Sequence, residues 1–283
     1  MRRWLRSFGT SAAAAFALAL ASVAAQSAEL TLMTSGALAA PLRELLPAFE
    51  RSSGTTLTVV SGGSVGGAPD SIPNRLQRGE RADVLVMASS SIDDMIQAGR
   101  VVPGSRVDLV RSRIGIAVRA GTPKPDISTV EALKRTLLAA KSIAYSSSVS
   151  GVYVSTELFQ RLGIAKDALA KGQKIDSEPV AAVVARGQAE IGFQQISELR
   201  PVAGVEVVGP LPDAVQRVTI FSAAIGTSAA NRAGARALIE YLASPGAAPV
   251  FAESGLEPLA VAAGIRGWGL GVGDLRLELT PNP

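Results

Sequence analysis

The chain has 283 residues and contains neither cysteine nor histidine. This excludes disulfides, thiol nucleophiles, Ser-His-Asp triads, zinc sites built on Cys or His, and histidine-ligated haem. Its 28 Lys and Arg against 24 Asp and Glu give a formal charge of +4. No basic run is interleaved with aromatics, so nucleic acid is not an expected partner.

The first residues read as an export signal. Arg2, Arg3 and Arg6 precede a short Ala-rich apolar run, Ser11 to Ala25, and Val23-Ala24-Ala25 or Gln26-Ser27-Ala28 offers small residues for cleavage. The run is too short and too rich in Ala for a membrane anchor. Taking off residues 1–28 removes three arginines and no acid, leaving 25 bases against 24 acids, a net +1, in about 255 residues. The expected product is exported to a bacterial periplasm and is not membrane-embedded.

A first strand is expected at Glu29–Met33, a turn at Thr34-Ser35-Gly36, and an amphipathic helix at Ala37–Ser52 with Leu38, Leu42, Leu45, Leu46 and Phe49 on its apolar side. Strand Thr56–Val60 leads into the loop Ser61-Gly62-Gly63-Ser64-Val65-Gly66-Gly67. A helix from Ser71 to Gln77, a strand Asp83–Ala88 and a short helix Ser91–Ala98 follow. This alternation is the rhythm of a parallel sheet with crossover helices, in which ligands sit beyond the carboxyl ends of strands. Both polar loops fall at such ends. Glycines there admit close backbone approach, and free N–H groups and hydroxyls favour an anion. The spacing is not that of a Walker A loop, because no Lys-Ser or Lys-Thr follows the glycines.

Further on, Arg113–Val118 is expected as a strand and Thr129–Ala140 as a helix. Strand Ser142–Tyr145, the loop Ser146–Gly151 and helix Val152–Leu162 form a second strand–loop–helix unit. Helix Pro179–Arg186, strands Glu190–Gln194, Gly204–Val208 and Arg217–Ile225, and helices Ala229–Ala243 and Pro245–Glu253 complete the pattern. The Gly-rich tail after Gly264 is assigned no function.

Between Glu29 and Leu259 the chain resembles the type 2 periplasmic solute-binding proteins, and among them the molybdate-binding branch. The resemblance rests on the opening strand with Thr34-Ser35-Gly36, on Gln77-Arg78-Gly79-Glu80-Arg81-Ala82-Asp83-Val84, on Ser150-Gly151 before a helix, on the segment from Val183 to Gly192, and on Leu242-Ala243-Ser244-Pro245. It implies an α/β fold of two lobes, each a mostly parallel sheet flanked by helices, with the ligand in the cleft between them. Lobe one would be 29–110 plus 223–283, and lobe two 111–222. The family's ligand loops fall on Thr34, Ser35 and Gly36; on Ser61, Gly63 and Ser64; on Ser148, Ser150 and Gly151; on Val180; and on Gln194 or Gln195, where the molybdate branch carries a tyrosine.

That departure, with the longer polar second loop from Gly66 to Arg75, points away from molybdate toward a di- or tricarboxylate. Arg75 is then the candidate for a bidentate carboxylate contact. Two functions follow from the resemblance. One is capture of a small anion, an oxyanion or organic carboxylate, for an ABC-type transporter permease. The other is that of the aconitate isomerase-like subgroup: proton movement along a tricarboxylate, with Asp70 and Tyr145 as candidate bases and no base identified. Neither metal nor cofactor is expected, and the protein is expected to be monomeric.

Overall fold

A computed structural model of the protein describes residues 29–259. The expected export signal and the Gly-rich tail lie outside the described residues. The first half begins with β1 (Glu29–Ser35), α1 (Gly36–Ser53), β2 (Thr56–Gly62), α2 (Ile72–Gln77), β3 (Val84–Ala88) and α3 (Ser89–Gln97). β1 lies between β2 and β3 and runs parallel to both. Leu32, Val84 and Val86 point to the face covered by α1, while Met33, Leu85 and Met87 point to the face covered by Ile72 and Ile92. A strand buried on both faces needs this near-continuous apolar run.

The polar ends of these elements are set locally. Ser35 caps α1, its Oγ accepting from the Ala37 N–H at 3.4 Å. Gly54, at φ 67°, ends the helix in the left-handed conformation.

Next come β4 (Val107–Arg119), α4 (Val130–Ala139), β5 (Ile143–Ser146), α5 (Val149–Tyr153), a π-helical turn (Val154–Leu158), α6 (Phe159–Arg161), α7 (Ala165–Ala170), β6 (Gly172–Ile175), α8 (Val180–Ala185), β7 (Ile191–Gln195), α9 (Ile196–Leu199) and β8 (Val205–Pro210). The chain returns through β9 (Val218–Ile225), α10 (Arg232–Leu242), α11 (Ala248–Glu253) and the short β10 (Glu257–Pro258).

The expected pair of mostly parallel sheets is instead one connected mixed sheet, ordered β2-β1-β3-β9-β4-β7-β5-β6, with β8 and β10 also pairing β4. The outer ladders are parallel, and every ladder involving β4 or β9 is antiparallel. The physical reason is the length of β4. The sequence pattern marks only Arg113–Val118, yet the strand starts at Val107. Its first part pairs with β9 through Val107–Arg113, and its second part with β7 and β8 through Ile114–Arg119.

Core packing follows that division. Leu32, Leu38, Val86, Phe221 and Leu238 form one buried cluster, and Ile116, Leu133, Phe159 and Phe193 another. At the transition, Ser112 donates its hydroxyl to Gln195 Oε1 at 2.8 Å, and Gln195 Nε2 donates to Thr219 Oγ1 at 3.3 Å. One buried amide thus ties β4, β7 and β9 together. Among the described residues, no helix is long and apolar enough to cross a membrane.

Candidate functional site

The carboxyl ends of β1, β2, β5, β6 and β7 converge on a cavity of about 180 Å³. Pockets for drug-sized ligands run to about 300–1,000 Å³, so this one suits a small molecule. Gly36 lines it from the end of β1, Ser61 and Gly63 from the end of β2, and Ser148 from the end of β5. Pro179 enters after β6, and Gln194 on β7.

The two Ser/Gly loops meet directly. The Ser64 N–H donates to Ser148 Oγ at 3.3 Å, and Ser64 Oγ accepts from the Ala88 N–H at 3.1 Å. The Ser146 and Ser150 hydroxyls are paired at 3.3 Å. Gly151 is required at its position because a Cβ would overlap the Ser146 carbonyl oxygen.

The sequence-derived residues therefore divide by role. Gly36, Ser61, Gly63, Ser148 and Gln194 line the cavity. Ser35, Ser64, Ser150 and Gly151 build its walls through the contacts above, and the buried Thr34 donates its hydroxyl to the Ser35 carbonyl at 3.2 Å. The Val180 N–H donates to Gln194 Oε1 at 3.1 Å. Gln195 points instead to the β4–β9 junction. Arg75 is turned away from the cavity: its Nε donates to the Asp70 carbonyl at 2.9 Å and its guanidinium pairs with Glu80 at 3.0 Å. It holds the second loop from behind. Arg75 also holds the Glu80 carboxyl below the usual carboxylate range, chiefly by hydrogen bonding.

Of the two candidate bases, Asp70 lines the cavity and Tyr145 does not. Tyr145 packs edge-on to Phe159 with ring centroids 6.1 Å apart, and burial pushes its phenol up. A phenol held protonated in an apolar cluster is a poor base.

The residue that sequence reasoning missed is Glu198, on the short helix α9 just after β7. It lines the cavity and is partly buried. Gln194 Nε2 donates to Glu198 Oε1 at 3.0 Å. The Val180 N–H, a backbone donor that needs an acceptor, fixes which end of the Gln194 amide faces Glu198. Burial pushes the Glu198 carboxyl up to about 7, against hydrogen bonds from Gln194 and the Gln195 backbone that favour the charged form. The only sequence signal was an acid four residues beyond Gln194. Asp176 and Glu178, also at the cavity, are exposed and face Lys174 at 3.6 Å and Arg186 at 2.9 Å. No Lys or Arg is among the described residues lining the cavity. A guest there would meet the serine residues of both loops together with the carboxyl side chains of Asp70, Asp176, Glu178 and Glu198.

Aconitate isomerase from a Pseudomonas species is 47% identical over 230 residues, covering 81% of this chain and 88% of that one. The molybdate-binding protein ModA of Azotobacter vinelandii is 24% identical over 246 residues, 83% of this chain and 92% of that protein. The solved structure of the Azotobacter vinelandii periplasmic molybdate-binding protein matches with a TM-score of 0.64 at 21% identity, covering 80% of this chain and 98% of that chain. At that identity the match speaks for the fold. The family model for bacterial extracellular solute-binding proteins matches residues 30–257. The chain belongs to the bacterial extracellular solute-binding protein family.

Proposed function

We propose that the protein is a cofactor-independent isomerase that moves a proton along the allylic system of a tricarboxylate, interconverting cis- and trans-aconitate. The observation that carries this reading is the 47% identity, across most of both chains, to an aconitate isomerase. The site is compatible with it in three respects. The cavity is small and open on one side to an incoming ligand. Its serine hydroxyls can hold carboxylates. It also contains carboxyl side chains, which can carry out proton transfer in a chain without histidine.

The chemistry suits a protein of this composition. The methylene of cis-aconitate is acidified by the adjoining carboxyl and by the conjugated double bond. Removing its proton spreads the charge over an allylic system. Donors fixed by the fold stabilise that charge without reorganising during the step. The same reading places the protein in the periplasm after removal of residues 1–28, as a monomer. It treats 29–110 with 223–283, and 111–222, as two lobes closing on the substrate at the Ser64–Ser148 contact.

A second reading follows from the family and fold: capture of an organic carboxylate for delivery to an ABC-type permease. One experiment separates the two. Purified protein is incubated with cis-aconitate and followed by proton NMR. Appearance of the trans isomer at catalytic protein concentration is expected. Tight binding with an unchanged spectrum would sink the isomerase reading and favour transport.

A further inference from the structure

We propose that Glu198 is the group that carries the proton between the two carbons of the tricarboxylate. This rests on the isomerase reading and assigns the step to a side chain.

Four carboxylates reach the cavity: Asp70, Asp176, Glu178 and Glu198. Asp176 and Glu178 are exposed and ion-paired with Lys174 and Arg186, which commits them to those partners. Asp70 sits on the second loop, whose position depends on Arg75 gripping its carbonyl. Glu198 is held differently. It stands on a helix that continues directly from β7, a central strand, so its backbone is placed by the sheet. Gln194 grips one carboxylate oxygen, and the Val180 N–H holds Gln194 in turn. Gly36, the first residue of α1, leaves the space that Glu198 Oε1 occupies. A proton carrier needs this combination of fixed position and access to the cavity. Burial, which brings its ionisation up to about 7, lets the same group take and return a proton near neutrality.

The step balances within the pair. The Glu198 carboxylate takes a proton from the methylene of cis-aconitate, breaking that C–H bond and forming O–H. The electron pair enters the allylic system. The O–H then breaks and the proton goes to the carbon at the far end, while the double bond settles between the central carbon and the former methylene. No oxidant, reductant or second acid is consumed.

The test uses the full chain with Glu198→Gln, cis-aconitate as substrate and trans-aconitate as binding probe. Wild-type turnover by itself decides the isomerase reading. Given that turnover, E198Q should melt no lower than wild type and bind trans-aconitate within about threefold of wild type, while kcat falls by at least ~100-fold. E198Q turnover within about threefold of wild type would overturn the assignment and leave the isomerase reading standing. So would loss of trans-aconitate binding at a preserved melting temperature, because Glu198 would then be a binding group. A check free of any folding defect is the wild-type pH profile. Its kcat/KM should rise through an inflection near 7, and a flat profile between about pH 6 and 8 would equally overturn the proposal.

Discussion

Gly36 and Glu198 occupy adjoining space: a Cβ built on Gly36 would overlap Glu198 Oε1. The two residues lie on α1 and α9, far apart in sequence, and the fold brings the start of one helix against the side chain of the other. The contact is with the far end of a side chain. The structure can therefore relieve an added methyl by swinging Glu198 rather than by moving backbone.

The first prediction follows from that. Gly36→Ala should displace the Glu198 carboxyl while leaving the fold intact, since alanine is the better helix former. Stability measured by urea unfolding should stay within about 1 kcal/mol of wild type. Isomerisation of cis-aconitate should fall by at least ~10-fold, because a small misplacement of a reacting group is costly. Full activity in a folded G36A protein would mean that the position of Glu198 does not matter.

A second prediction concerns pH and stability. The Glu198 carboxyl is raised from an ordinary 4.5 to about 7, with burial as the main cause. Between those values the folded protein holds a proton that the unfolded chain has released. Its stabilising contribution is complete below about 4.5 and is lost as pH rises through about 7. Relative to E198Q, the wild type should lose on the order of 3 kcal/mol between those limits. Melting curves of both proteins at pH 5 and pH 8 measure this. The difference isolates Glu198 from groups of opposite sign such as Asp108, whose carboxyl is held low chiefly by its hydrogen bond from Arg106. A pH-independent difference would show that the carboxyl is not desolvated.

Ser148→Ala removes the acceptor of the Ser64 N–H and one hydroxyl from the cavity wall. Its side chain makes no capping bond to α5, so the helix itself should not suffer. Each lost neutral hydrogen bond costs about 1 kcal/mol. Trans-aconitate affinity, measured by calorimetry, should therefore drop by roughly 5–10-fold, with little change in melting temperature. Unchanged affinity would place the ligand elsewhere.

Gln195→Ala should do the reverse. The buried amide joins Ser112 on β4 to Thr219 on β9, and its loss strands both hydroxyls and opens space among three strands. Destabilisation of about 2–4 kcal/mol is expected. Ligand affinity of the remaining folded protein should stay within about threefold, because Gln195 does not line the cavity. A stable Q195A protein with impaired binding would contradict this division between the neighbouring glutamines.

Much of the architecture was legible in the residues themselves. The burial of Leu38, Leu42, Leu45, Leu46 and Phe49 on one face of α1 follows from helical spacing. The apolar runs of β1 and β3, buried on both faces, are themselves the pattern of a covered sheet. The loops at Ser35-Gly36, Ser61–Ser64 and Ser148–Gly151 stood out because polar and glycine residues at strand ends have no role in the core. These are local properties, and a local pattern suffices to specify them.

The extra length of β4, the identity of the strand β6 and the short helices α7 and α9 were not legible. Their spans are too short or too polar to impose a period, and they owe their form to neighbours. The same holds for function at single residues. Gln194 and Gln195 are identical side chains one position apart. Because successive strand residues point to opposite faces, one reaches the cavity and the other the β4–β9 junction. Arg75, the cation that the polar second loop offered to an anion, is engaged by Asp70 and Glu80 behind the loop. Glu198 carried no motif. Its ionisation near neutrality arises only when α1, α8 and β7 close around it, since desolvation is a property of what surrounds a group, and the sequence does not list surroundings.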